Sequence, residues 1–260
     1  MANIPVSAQL KLRRAQEHRS ALESEIVTWA ASKPYEYFTR EVEDSDPDFQ
    51  RIQYVVKVNN PLPGDRLGQI LGDCLNNYRG VLDHIIWELS NIHTGGMPKN
   101  PTRIGFPAPS AEATLSGLHS VSAAVVSDVS QLHSSCAPAE PGDPSPFSLL
   151  IGLSNADKHR TIPFGFHVAK SSDIALPLPV IGTRFDVHQV DVLMDGTVLA
   201  DILIPRPLFI SETVEIRTKQ ESGVVISKTE KTPQVHLGMS IEAIDAAVEA
   251  SAALLSRHFL

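Results

Sequence analysis

The stretch CLNNYRGVLDHIIWEL, Cys74 to Leu89, sets titratable and amide side chains at helical spacing. At about 100° per residue, Asp73, Asn77, His84 and Glu88 fall nearly in line. Asn76, Gly80, Asp83 and Trp87 flank that line. His84 is the residue type suited to acid–base work near neutral pH. Arg79 or Asn77 beside it would hold an anion. Gly80 is an unusual choice mid-helix, since glycine there costs about 1 kcal/mol against alanine. It opens a gap beside His84 for another backbone, side chain or ligand. The same residues also have a purely structural use. Arg79–Asp83 and His84–Glu88 have the i,i+4 spacing of surface ion pairs, worth a few tenths of a kcal/mol. Asp73, Asn77, His84 and Glu88 are of metal-ligating type, but no Glu-x-x-His pair is present, so no metal is expected.

A second cluster, SNADKHR, runs from Ser154 to Arg160. Lys158, His159 and Arg160 at a helix end would cap unpaired carbonyls and meet the negative end of the dipole. Converging on a polar helical face, the same donors would form an anion or phosphate pocket, with Asn155 orienting a partner through its amide. Of the remaining histidines, His18 lies on the basic first helix, His93, His119 and His133 near helix ends, His167, His188 and His236 alternate within strands, and His258 is near the C-terminus.

The elements that must position these residues follow from apolar periodicity. Val6 to Ser32 reads as a helix with Leu10, Ala15, Leu22, Ile26 and Trp29 on its inner side, stopped by Pro34. Tyr35–Val42 and Phe49–Val58 alternate, a hairpin pattern. Asp65 to His93 is the strongest helix, with a stripe wide enough to require burial against several neighbours. Weaker helices are predicted over Ala111–Leu118 and Val121–His133, with a Pro-rich loop over Ser134–Pro146 and a short buried helix over Phe147–His159. From Thr161 the period changes to two. Strands are expected at Phe164–Val168, Arg184–Leu193, Val198–Ile204, Leu208–Arg217 and Gly223–Ser227, with Asp195-Gly196 as a hairpin turn. A helix from Ser240, read as its N-cap, to Phe259 closes the chain. This segregated order predicts an α+β fold with an antiparallel sheet, not a doubly wound one. The expected division is a mainly helical region with a hairpin over residues 1–160 and strands plus the closing helix over 161–260, the two forming one continuous domain or separate ones.

Composition narrows the function classes. The 260 residues are 42% hydrophobic, 20% charged and carry a net charge of −8, an ordinary globular profile and a poor default for nucleic-acid binding. Cys74 and Cys136 are too few for a disulfide framework, which points to a reducing compartment. The N-terminal stretch is polar and basic, unlike a secretory signal. No run reaches the length of a membrane span. A cytoplasmic protein with no membrane association is expected. GxGxxG, Walker, GxSxG, HExxH and paired CxxC motifs are absent from the sequence. Dinucleotide enzymes, P-loop enzymes, α/β-hydrolases and zinc modules therefore lose weight, and no cofactor is expected.

Together the motifs resemble those of a group of bacterial proteins without assigned function. The shared pattern is LGD-x-L-x-N-x-R-x-x-LDH-x-x-W-x-L followed by N-x-D-KHR. Here it is carried by Leu71-Gly72-Asp73, Leu75, Asn77, Arg79, Leu82-Asp83-His84, Trp87 and Leu89, then Asn155 and Asp157 to Arg160. Arg79 to His84 is also an R-x4-H, similar to the motif of HEPN-type helical ribonucleases, which cleave RNA without metal at a dimer interface. That resemblance implies Arg79 and His84 as the catalytic pair, RNA as partner and a homodimer. It departs from the family at Gly80, where a polar residue is usual, in its mid-helix position, and in the strand-rich C-terminal part.

Three readings result. The first is a polar, helix-borne pocket that binds a small anionic ligand or a partner through Asp73, Asn77, Asp83, Asn155, Lys158 and Arg160. The alternative is a metal-independent ribonuclease with Arg79, His84 and His159 as its catalytic groups. The third is a structural network in which Arg79, Asp83, Asn155 and Asp157 satisfy one another. All require the two motifs to be neighbours, because buried polar groups without partners cost roughly 1–3 kcal/mol each. The expected pairs join Asp73 or Asp83 to Lys158 or Arg160.

Overall fold

A computed structural model describes residues 3–44, 46–109, 116–138, 143–158, 162, 164–168, 182–188, 190, 193–206, 222–227 and 234–259. The fold is α+β. The described helices are α1 (Val6–Ala31), α2 (Gly64–Thr94), α3 (Ala123–Ser135), α4 (Pro146–Asp157) and α5 (Leu237–Leu255). The strands are β1 (Tyr35–Val42), β2 (Phe49–Val58), β3 (Phe164–Val168), β4 (Arg184–Val187), β5 (Val198–Pro205), β6 (Ser222–Ile226) and β7 (Val235–His236). Among the described residues no helix is long and apolar enough to cross a membrane.

The chain forms two compact units, each drawn from separate stretches. The first comprises Met1–Glu25, Gly64–Pro163 and Ile226–Leu260; the second comprises Ile26–Pro63 and Phe164–Val225. The early hairpin therefore falls with the later strands, and α5 with the helices.

The first unit is a helical assembly centred on α2. Leu67, Leu71, Cys74, Leu75, Tyr78, Val81, Leu82, Ile85 and Ile86 are all buried along it. The width of this stripe follows from its neighbours, since α2 packs against both α4 and α5. The thiol of Cys74 donates to the Ala15 carbonyl at 3.4 Å, and Arg66 bonds Glu25, so α1 runs antiparallel to α2. In α1 the buried positions are Ala8, Ala15, Leu22 and Trp29, one per heptad, while Leu10 is 55% exposed. Alanine's small side chain lets the helices approach closely, so it takes the inner position that size alone would give to leucine. α5 begins at Leu237 with His236 at its N-cap position. Ser240, read as the cap from sequence, is instead buried in the first turn. Ser116–Leu118 is a 3-10 turn, and the rest of the helix expected over Ala111–Leu118 lies outside the described residues.

The second unit is built on a four-stranded antiparallel sheet of order β1-β2-β5-β4. The alternation of β2 sends Ile52 and Tyr54 into the core and Arg51 and Gln53 to the opposite face. A register shift between Tyr54 and Val55 lets Val55 and Val56 both be buried. The Asp195-Gly196 turn forms as expected, with Gly196 at φ 77° and the Thr197 N–H bonded to the Met194 carbonyl. β4 is shorter than the predicted strand over Arg184–Leu193. The strand expected at Leu208–Arg217 lies outside the described residues.

Candidate functional site

The two motifs meet in the first unit, where α4 lies against α2. Ser145 caps α4 through the Ser148 N–H and Pro146 opens its first turn, which fixes where the helix starts and hence where its last turn falls. That last turn carries Ser154, Asn155 and Asp157 onto one line of α2 side chains: Gly72, Asn76, Arg79 and Asp83. These positions recur at spacings of four, three and four, so they share a face.

Within the seam the bonds are reciprocal. Asn76 Nδ2 donates to Asp157 Oδ2 at 2.9 Å, and the buried Ser154 Oγ donates to Asn76 Oδ1 at 2.8 Å. Gly72 makes room for this pairing: a Cβ there would stand 2.1 Å from Asp157 Oδ1. At the edge, Arg79 donates from a terminal nitrogen to Asn155 Oδ1 at 3.1 Å, with its Nε 3.6 Å from Asp83 Oδ2. Asp83 Oδ1 accepts the Phe106 N–H at 2.9 Å, which ties the loop at residues 105–106 to α2. Gly105 follows from this contact, since its Cβ would stand 2.9 Å from the same oxygen. The cross-links therefore run through Asn76, Arg79 and a main-chain N–H. Asp83 takes its partners from Arg79 and Phe106, not from Lys158. Lys158 is the exposed C-cap of α4. His159 and Arg160 lie outside the described residues.

The other predicted residues occupy a different side of α2. Asp73 is exposed, and its carbonyl accepts the Asn77 amide at 2.7 Å. His84 is half-buried. Glu88 accepts the Asn91 amide at 3.3 Å, so its hydrogen bond is to Asn91 rather than the expected His84. The gap at Gly80 is taken by the stem of Lys11, whose Cδ lies 3.3 Å from a Cβ placed there. The single polar face read from the sequence is thus two. One is the Gly72–Asn76–Arg79–Asp83 line docked on α4 and the 105–106 loop; the other is the Asp73–Asn77–His84–Glu88 line. Among the described residues no group of three or more His, Cys, Asp or Glu side chains converges as a metal site.

Sequence reasoning missed three carboxylate centres. In the first unit Asp245 of α5 accepts from Tyr78 Oη at 2.7 Å and from Arg19 at 2.5 Å, while Arg19 Nε also bonds Glu23. Burial, then the Asp245 bond, pushes the Tyr78 phenol well above its ordinary range. Burial above all, with Asp245 adding to it, raises the Cys74 thiol to about 12. The Glu23 bond raises Arg19 despite the opposing cost of burial. The signal for this centre was a lone Asp245 beside the inner stripe of an alanine-rich helix, and a tyrosine whose hydroxyl needs a partner once its ring is buried. Also in the first unit, buried Asp128 of α3 binds both Arg257 and His258, fastening the end of the chain. In the second unit buried Asp201 accepts from Arg51, Gln53 and His188. These bonds, Arg51's first, hold its carboxyl well below the usual carboxylate range.

Compared with protein-family models, with curated proteins and with solved structures, the chain matches none of them.

Proposed function

We propose that this protein binds an anionic group, a phosphate or carboxylate of a small ligand or partner, at the mouth of the α2–α4 seam. Arg79, Asn155 and Lys158 are its donors. The interior of the seam is a structural lock, because Asn76, Ser154 and Asp157 use one another's hydrogen-bonding capacity. The observation that carries the reading is the state of Arg79. Its side chain is 26% exposed, one nitrogen is tied to Asn155, and Nε lies 3.6 Å from Asp83, beyond a good hydrogen bond. A guanidinium has five N–H donors, so this one retains capacity toward solvent with its plane oriented by Asn155. Lys158, three residues beyond Asn155 at the exposed end of α4, adds a second cation. Asp83 and Asp157 accept from neutral donors, the Phe106 N–H and the Asn76 amide, and keep their charge, so Arg79 and Lys158 must hold an arriving anion against it.

Binding is favoured over RNA cleavage. Residues five apart leave a helix about 140° from one another, so Arg79 and His84 of one chain do not act on one phosphate. The ribonuclease reading rests on the R-x4-H motif and would need Arg79 of one chain to meet His84 of another.

Titration with inorganic phosphate and with a nucleoside monophosphate, followed by calorimetry, tests the proposal. Saturable binding lost in both K158Q and R79Q is the expected result. No binding, or binding unchanged in either variant, overturns it. RNA cleavage by the wild type that H84A abolishes would establish the alternative.

A further inference from the structure

α1 and α5 of the first unit enclose a groove of about 460 Å³. Its apolar lining comes from Ile4, Leu12, Ala252 and Ala253, and its charged lining from Arg13 and Glu249. Next to it α1 exposes two large apolar side chains, Val6 at 70% and Leu10 at 55%. At about 100° per residue, Val6, Leu10 and Arg13 lie within one narrow arc of the helix, so this apolar ridge borders the groove. Ridge and groove side by side on one surface are self-complementary, which is the condition for a two-fold contact between identical chains.

Charge selects the same partner. The first half of α1 is basic, with Lys11, Arg13 and Arg14, while exposed α5 carries Glu242 and Glu249. Arg14 is neutralised within its own helix by Glu17. Arg13 has no ion-pair partner among the described residues. Glu249 accepts only the neutral Gln16 amide there, at 3.0 Å. A free cation on α1 and an acid without a cation on α5 are matched across two copies. The exposed side of α5 also carries Ala243, Ala246 and Ala250, which let another helix approach closely.

We propose that the α1–α5 groove is the docking surface for a second copy of this chain, with Leu10 of each copy seated in the groove of the other and Arg13 facing the partner's Glu249. The inference is independent of the anion site, which uses neither α1 nor α5.

Sedimentation velocity over a concentration series tests it. The wild type is expected to form a dimer that L10E weakens at least tenfold, about 1.4 kcal/mol. Leu10 is exposed, so the variant retains the monomer fold, which its circular dichroism checks. R13E and E249R are each expected to weaken the dimer, and mixing the two restores it, because both cross-pairs then join opposite charges. A wild type that stays monomeric up to about 100 µM, well above the dissociation constants of typical specific complexes, overturns the proposal. So does a dimer indifferent to L10E, or a failure of the mixed charge reversals to restore association. A monomer whose groove takes up a fluorescent apolar probe, lost in L10E, would assign the groove to a small apolar ligand instead.

Discussion

The carboxylate of Asp157 occupies the space where a side chain on Gly72 would begin. A Cβ at Gly72 stands 2.1 Å from Asp157 Oδ1, and Asp157 is held there by Asn76. G72A must therefore displace the carboxylate and break its bond to Asn76. Alanine gains about 1 kcal/mol of helix propensity, but overpacking and a lost half-buried bond cost more, so a net loss of about 1–3 kcal/mol is expected. Gly152 in α4 is the control. Nothing lies within 4 Å of its Cβ position, so G152A is expected to raise stability by about 0.5–1 kcal/mol. Urea denaturation of both variants checks the pair of opposite signs.

Asp83 holds the 105–106 loop through one main-chain bond. D83N keeps an oxygen for the Phe106 N–H and loses only a partly exposed charge contact with Arg79. It should cost less than about 1 kcal/mol. D83A leaves that N–H without its acceptor and should cost about 1–3 kcal/mol. Amide hydrogen exchange distinguishes them. Protection of Phe106 should persist in D83N and fall in D83A, and equal exchange in both would contradict the assignment.

The two cysteines are free and differ in burial. Cys136 is half-buried and should react with a thiol reagent in the native protein. Cys74 is fully buried, its thiol pushed from 9 to about 12, and should react only on unfolding. A raised pKa means the folded state holds the proton more tightly. The stability linked to Cys74 is therefore fully present below pH 9 and is lost as pH rises from 9 toward 12; Tyr78 acts in the same direction. Chemical denaturation at pH 8 and pH 10 should show the fall, and C74A should reduce it.

Elements with a strong period were legible in the sequence, and the chemistry between them less so. β1 and β2 match their predicted bounds because alternation and the intervening Asp-Pro turn both mark them. The long helix is marked by its apolar stripe. The inner face of α1 was misread where Leu10 outranked Ala8, since size is visible in a sequence and closeness of approach is not. That α4 lies beside α2 followed from counting unsatisfied polar groups. The individual partners did not, because Asp83's acceptor role is filled by a main-chain N–H that every residue but proline has. The Asp245 centre joins residues from α1, α2 and α5, and its members carry no local pattern beyond Arg19–Glu23.

Asp201 anchors the sheet of the second unit, and its acid sensitivity follows from its bonds. It is 4% exposed and accepts from Arg51 Nε at 2.7 Å, Gln53 Nε2 at 3.1 Å and His188 Nε2 at 2.8 Å. The register places Gln53 and Asp186 directly opposite it on the neighbouring strands. Burial alone would raise the carboxyl, but the donors, Arg51 first, win and hold it below the ordinary value of 3.8. For a lowered pKa the unfolded chain binds the proton more readily. The stabilisation is therefore complete above about pH 4 and is lost as pH falls below that toward the folded-state value. D201N keeps the shape and removes the charge. At pH 7 it should cost about 1–3 kcal/mol, less than a fully buried ion pair because Arg51 and His188 are partly exposed. Near pH 2–3 the difference from wild type should shrink, since the native carboxylate is then losing its advantage. Thermal unfolding between pH 2 and pH 7 measures this: the two melting curves should converge below about pH 4. A difference that stays constant across that range would show that Asp201 stabilises the sheet through shape, not charge.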